Sequence, residues 1–193
     1  MVERCAWVNQ NIPLYIRYHD CEWGVPVRSD RKMFEFLVLE SAQAGLSWLT
    51  VLKKRTAYKK AFANFSFNTV AKFTARDVRR LMNDAGIIRN KQKITAAIKN
   101  AQAFRRIRQE YGTFCRYLWG FVDDVSLQPK RRSISDLPAK TALSETIAAD
   151  LKRRGFSFLG PTVVYAHLQA TGLVNDHTRD CFRYRTCSVK EKT

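Results

Sequence analysis

The chain has no apolar run approaching the roughly 18 uncharged residues that a membrane span needs. Its first residues, MVERCAWVNQN, contain no apolar stretch resembling a secretory signal. Both absences point to a soluble intracellular protein of the cytoplasm. Cysteine is scarce and odd in number: Cys5, Cys21, Cys115, Cys181 and Cys187. Without an export signal this argues against a disulfide framework and for reduced thiols or metal ligands. Strand-like alternation is nearly absent, as are internal repeats and low-complexity segments. No block of five like charges marks a disordered basic tail, and no coiled-coil pattern marks an oligomer, so a monomer is the expectation.

What the chain does have is apolar mass and positive charge. Its 193 residues, 46% hydrophobic and 12% aromatic, suit one domain over 1–193 with a sizeable interior. Lys and Arg number 34 against 17 acids, a formal charge of +17 and a pI near 10.1. Such a surface attracts phosphates and releases their counterions, so a nucleic acid or an anionic membrane is the expected partner. The plainer alternative is a well-solvated basic surface. The charge is spread over KKR at 53–55, RNKQK at 89–93, PKRR at 129–132 and LKRR at 151–154.

The punctuation is helical and the fold class all-α, with about seven to nine helices at typical lengths. SDRKMFEFLVLESAQAG offers Ser29 or Asp30 as an N-cap and Gly45 as a stop, and SWLTVLKKRTAYKKAF follows from Ser47. TARDVRRLMNDAG carries a capping box at Thr74 and Asp77 and stops at Gly86. Further helices run from Asn90 toward Gly112, from Thr141 to Gly155, and from Pro161 to Gly172. DDVSLQPKRRSISDLP, residues 123–138, reads as a long connection.

Three constellations carry chemistry. Cys5 and His19 near one end, with His177 and Cys181 as H-x3-C near the other, make a complete tetrahedral zinc set, provided H-x3-C forms one face of a helical turn. Four protein ligands leave no open position, so the site would be structural and would staple the termini. Cys21 and Cys187 are alternative ligands, and ordinary buried cysteines with hydrogen-bonded histidines are the bland reading. In NDAGIIRNKQKITAAI, Gly86 allows φ > 0 in a turn between two helices, and helix-start amides with Arg89, Lys91 and Lys93 suit a DNA phosphate. Any solvated helix–turn–helix connection reads the same way. Finally, Trp7, Tyr15, Tyr18 and Trp23 crowd the N-terminal 25 residues, while FLVLESAQAGLSW sets Glu40 in an apolar run that Trp48 closes. Aromatic faces sandwich a planar base and a carboxylate accepts from its amino group, most favourably if the base is cationic. Aromatic clusters are also ordinary core.

The runs RCAW, PLYIRYHDCEWGVP, LESAQAGLSWLTVLKKR, DAGIIRNKQKI, RRGFSFLGPTVVYAHLQATG and LVNDH-x3-C resemble the DNA-3-methyladenine glycosylase I family, in order and over almost the whole chain. The resemblance implies a helix-hairpin-helix DNA glycosylase that excises 3-methyladenine from alkylated double-stranded DNA. It implies structural zinc on Cys5, His19, His177 and Cys181, with segments 1–25 and 173–187 forming a stapled lobe. It places Glu40 in the base pocket as the catalytic carboxylate, Tyr18 and Trp48 stacked on the flipped base, and Tyr15 and Trp23 in the walls. Gly45 and Leu46 would meet the DNA, Leu46 as a wedge, and the turn at Gly86 with Arg89, Lys91 and Lys93 would grip the backbone. DAGII departs from the LPGVG-like turn of the wider superfamily, and no catalytic aspartate follows it. No lysine stands out as a nucleophile, so monofunctional hydrolysis to an abasic site is expected. The rivals are a non-catalytic sensor of alkylated bases using the same pocket, and a zinc-stapled RNA-binding protein.

Overall fold

The computed structural model describes residues 2–187. These contain ten α-helices: α1 Pro13–Cys21, α2 Asp30–Gln43, α3 Trp48–Ala61, α4 Phe67–Val70, α5 Ala75–Met82, α6 Lys91–Tyr111, α7 Phe114–Trp119, α8 Ala142–Arg153, α9 Pro161–Ala170 and α10 Arg183–Thr186. The expected helices are present; the excess over seven to nine comes from short segments such as α4 and α10, too brief to show a helical period.

Local chemistry sets the helix starts. Ser29 Oγ accepts from Lys32 N–H, Ser47 Oγ from Thr50 N–H and Asn90 Oδ1 from Lys93 N–H. Thr74 and Asp77 close the capping box. Each such cap is worth about 0.5–2 kcal/mol. Asp30 is not the cap of α2: its carboxylate accepts from Arg108 of α6 and from the Cys115 amide of α7.

Helix α2 forms the axis of the molecule, packed against α3, α6, α7 and α9. Met33, Phe34 and Phe36 through Ala42 are all buried, so this helix is enclosed nearly all round. Phe34 meets Phe104 of α6 edge-on at 5.5 Å, and Phe104 stacks on Phe114 of α7 at 4.1 Å. Burying one such ring contributes about 1.5–3 kcal/mol.

The N-terminal segment meets the segment around residues 169–182. Phe182 N–H donates to Glu3 O, Gly24 N–H to Gln169 O and Val27 N–H to Thr171 O. The 123–138 connection runs beside residues 173–179, pairing Leu127 with Leu173 and Asn175 through backbone hydrogen bonds. Leu127 and Val174 make an isolated parallel bridge, and no strand is present among the described residues.

Candidate active site and metal centre

Helices α1, α2, α3 and α9 enclose a cavity of about 290 Å³ lined by Trp7, Tyr15, Tyr18, Trp23, Glu40, Gln43, Trp48, Ile134, Leu137, Ala166 and Gln169. All five residues expected at a base pocket are there. Glu40 lies on the enclosed face of α2, only 4% exposed, and no group among the described residues hydrogen-bonds to it. Burial alone pushes its carboxyl up to about 8. Tyr18, from α1, and Trp48, the first residue of α3, face each other with centroids 5.2 Å apart and planes at 53°. Trp7 packs edge-on against Tyr15 at 6.0 Å and Trp23 at 5.1 Å. The indole N–H groups of Trp7 and Trp48 are buried and donate to no group among the described residues.

A larger surface hollow of about 780 Å³ lies along α1, α2 and α3. Its floor charges are already satisfied, since Arg55 and Lys32 both pair with Glu22 and Glu35 at 2.7–3.2 Å. The smaller cavity has the unpaired carboxylate.

Between α2 and α3, residues 44–47 form an exposed tip. Gly45 takes φ +79° and Leu46 is 41% exposed. The tip is anchored from α6: Lys93 Nζ donates to Ala42 O and Ala44 O, at the open C-terminal end of α2. Lys93 is thus half-buried and hydrogen-bonded to the end of α2, whereas Arg89 and Lys91 are exposed. Helix α5 ends at Met82 rather than Gly86. Gly86 does not take positive φ; a Cβ there would meet Ala57 Cβ at 2.8 Å, so glycine serves a close approach of the turn to α3. Several turn amides are already used, with Gly86 N–H bonded to Asp84 Oδ1 and Ile88 N–H to Tyr58 Oη.

Cys5, His19, His177 and Cys181 are all buried, and their ligand atoms lie within 4.8 Å of one another. Cys5 Sγ and Cys181 Sγ are 3.4 and 3.5 Å from His177 Nδ1, and Cys181 Sγ is 3.5 Å from His19 Nε2. The outer ring nitrogens have acceptors: His19 Nδ1 faces Asp20 Oδ1 at 2.7 Å, and His177 Nε2 faces Trp23 O at 3.0 Å. With those protons held outward, both inner nitrogens present lone pairs to the two sulfurs, the tautomers a metal requires. Between the two sulfurs one proton is shared: the hydrogen bond from Cys5 lowers the Cys181 thiol and raises that of Cys5. His177 to Cys181 is not a helical turn: α10 begins only at Arg183, and Cys181 is brought round by its N–H bond to Thr178 O. Cys21 is exposed, and Cys115 and Cys187 lie outside the cluster.

Trp7, Gln43, Ile134, Leu137, Ala166 and Gln169 were not singled out as pocket residues by their types. Trp7 was visible as one of the crowded aromatics. Ala166 and Gln169 share a face of α9 by their spacing, but only the packing shows that this face turns toward Glu40. Ile134 and Leu137 sit in the long connection, where no periodicity exists to read.

Fold and site together define a helical protein with an aromatic cleft floored by an unpaired acid. The chain belongs to the methyladenine glycosylase family, whose profile matches residues 7–184. It is 46% identical to the DNA-3-methyladenine glycosylase 1 of Escherichia coli (strain K12) over 183 residues, 95% of this chain and 97% of that protein. A crystal structure of 3-methyladenine DNA glycosylase I matches with a TM-score of 0.90 at 47% identity, over 93% of this chain and 98% of that one. The 3-methyladenine DNA glycosylase I of Staphylococcus aureus, solved to explain 3-methyladenine recognition, matches at 0.91 and 38% identity over 98% of both chains. No described helix is long and apolar enough to cross a membrane.

Proposed function

We propose that this protein is a monofunctional DNA glycosylase of base-excision repair. It extrudes a 3-methyladenine nucleotide from double-stranded DNA and hydrolyses its N-glycosidic bond, leaving an abasic site. The observation that carries this reading is Glu40, a buried carboxylate without a hydrogen-bond partner among the described residues, at the floor of an aromatic cavity. Such a group is costly in an empty pocket, and a cationic base offsets the cost.

Methylation at N3 leaves the adenine cationic and its bond to the sugar already weak. Departure as a neutral base then needs no strong acid, and the protein's work is extrusion, selection and positioning. Tyr18 and Trp48 stack on the ring, each base–aromatic contact being worth about 1–3 kcal/mol. Ionised Glu40 accepts from the amino edge and stabilises the cationic form. Leu46, on the exposed tip, fills the gap left in the duplex. The α5–turn–α6 unit serves as the helix-hairpin-helix that holds the DNA backbone through Arg89 and Lys91.

The buried Cys2His2 cluster fits structural zinc. In tetrahedral coordination, bonds of about 2.0–2.3 Å put neighbouring ligand atoms roughly 3.3–3.8 Å apart, close to the 3.4 and 3.5 Å sulfur–nitrogen distances here. Four protein ligands hold the chain ends together and leave no position for chemistry. The protein acts as a cytoplasmic monomer.

Release of free 3-methyladenine from methylated duplex DNA, with abasic but unbroken strands as product, tests the reading. Binding without base release would make it a damage sensor instead. Strand scission with a borohydride-trapped covalent adduct would reject the monofunctional mechanism.

A further inference from the structure

We infer that Gln169 determines specificity in the base pocket: its carbonyl Oε1 accepts a hydrogen bond from the 6-amino group of the extruded base, selecting 3-methyladenine over 3-methylguanine. The inference rests on the glycosylase reading above.

A glutamine side chain has a donor end and an acceptor end, and which of them faces a ligand depends on the neighbouring groups. Here the neighbour decides. Gln169 Nε2 lies 2.8 Å from Oδ2 of Asp176, whose side chain is buried. Two other donors converge on that carboxylate. Arg131 Nε reaches Oδ1 at 3.0 Å, and the Tyr165 hydroxyl bonds to Oδ2. Arg131 also donates to the Tyr165 oxygen, which leaves the tyrosine proton for Asp176. Asp176 is thus an acceptor on every side and can hold only the NH2 end of Gln169.

The carbonyl end is then the free edge of a residue that lines the cavity, and it accepts from no group among the described residues. Opposite helices therefore supply two acceptors to one pocket: Glu40 from α2 and Gln169 from α9. An adenine ring carries a 6-amino group with two N–H bonds. A guanine ring carries an oxygen at that position, and an oxygen facing a fixed acceptor loses its own hydrogen bond and repels.

The test is single-turnover release of 3-methyladenine and 3-methylguanine from the same methylated duplex by the wild-type protein and by Gln169→Leu. Melting temperature and metal content serve as controls for folding. We expect 3-methyladenine release to fall about tenfold and 3-methylguanine release to hold or rise, so that the ratio of the two drops about tenfold. Gln169→Met is the second variant should the leucine not fold. An unchanged ratio, whether both rates fall together or neither moves, overturns the inference. Failure of the wild type to release either base would instead overturn the glycosylase reading.

Discussion

The Lys93 ammonium donates to the Ala42 carbonyl at 2.9 Å, tying the start of α6 to the end of α2 just before the exposed tip. Partial burial lowers its pKa, yet it sits where α2 leaves its last carbonyls open. Lys93→Met should therefore cost about 1 kcal/mol of stability and disturb the Gly45–Leu46 tip, leaving the salt dependence of DNA affinity unchanged. Arg89→Ala should do the reverse, with an unaltered melting temperature and a log–log salt slope flatter by about one. A flattened slope in Lys93→Met would return that residue to the phosphates.

For Glu40 the sign of the pH effect follows from its raised pKa. In the unfolded chain it titrates near 4.5 and in the folded pocket near 8. The folded state thus holds the proton more tightly, so wild-type stability falls as pH rises between those values, by at most about 1.4 kcal/mol per pH unit, and levels off above. Glu40→Gln removes this penalty. Urea midpoints should agree for the two proteins at about pH 4 and below, and the variant should be the more stable by a few kcal/mol near pH 8. Its base release should fall at least about 100-fold, because the amide keeps the shape and loses the charge. Wild-type rates in the variant would remove Glu40 from the centre of the site.

Glu40 could be read from sequence because a charge inside an apolar helix needs a reason. The caps at Ser29, Ser47, Thr74 and Asn90 were legible for a similar reason, since their chemistry is local. Residue type suggested the four metal-ligand candidates, but the turn that brings Cys181 to His177 depends on the contact between the chain ends. Lys93 was ambiguous in sequence, because a lysine near a helix start looks the same whether it faces a phosphate or the end of another helix. Gly86 misled similarly: the crowding that requires glycine comes from Ala57, 29 positions earlier, and not from its own φ. Gln169 and Leu137 were silent, since a polar residue on a helix and an apolar one in a loop acquire meaning only from what packs opposite.

Purified protein should contain about one zinc per chain by elemental analysis, and chelation should lower the melting temperature, because the metal joins segments distant in sequence. Asp20 offers a finer check. It accepts from His19 Nδ1 and is itself held by Arg4, which together with His19 lowers its pKa against the opposing effect of burial. Asp20→Asn should weaken metal retention about 10–100-fold. Unaltered retention would show that His19 keeps its tautomer without help.

Trp7 links the two sites, packing on Tyr15 and Tyr18 on one side and on His19 at 5.4 Å on the other. Trp23 makes the same bridge, 4.6 Å from His177 and lining the cavity. Metal removal should therefore change tryptophan emission and weaken binding of free 3-methyladenine together, over one chelator titration. Trp7→Ala should lower free-base affinity about tenfold, the loss of one aromatic contact, while Trp7→Phe recovers most of it by restoring an edge-on ring. Chelation that abolishes metal content yet leaves base affinity intact would show that the pocket stands on α1, α2 and α3 alone.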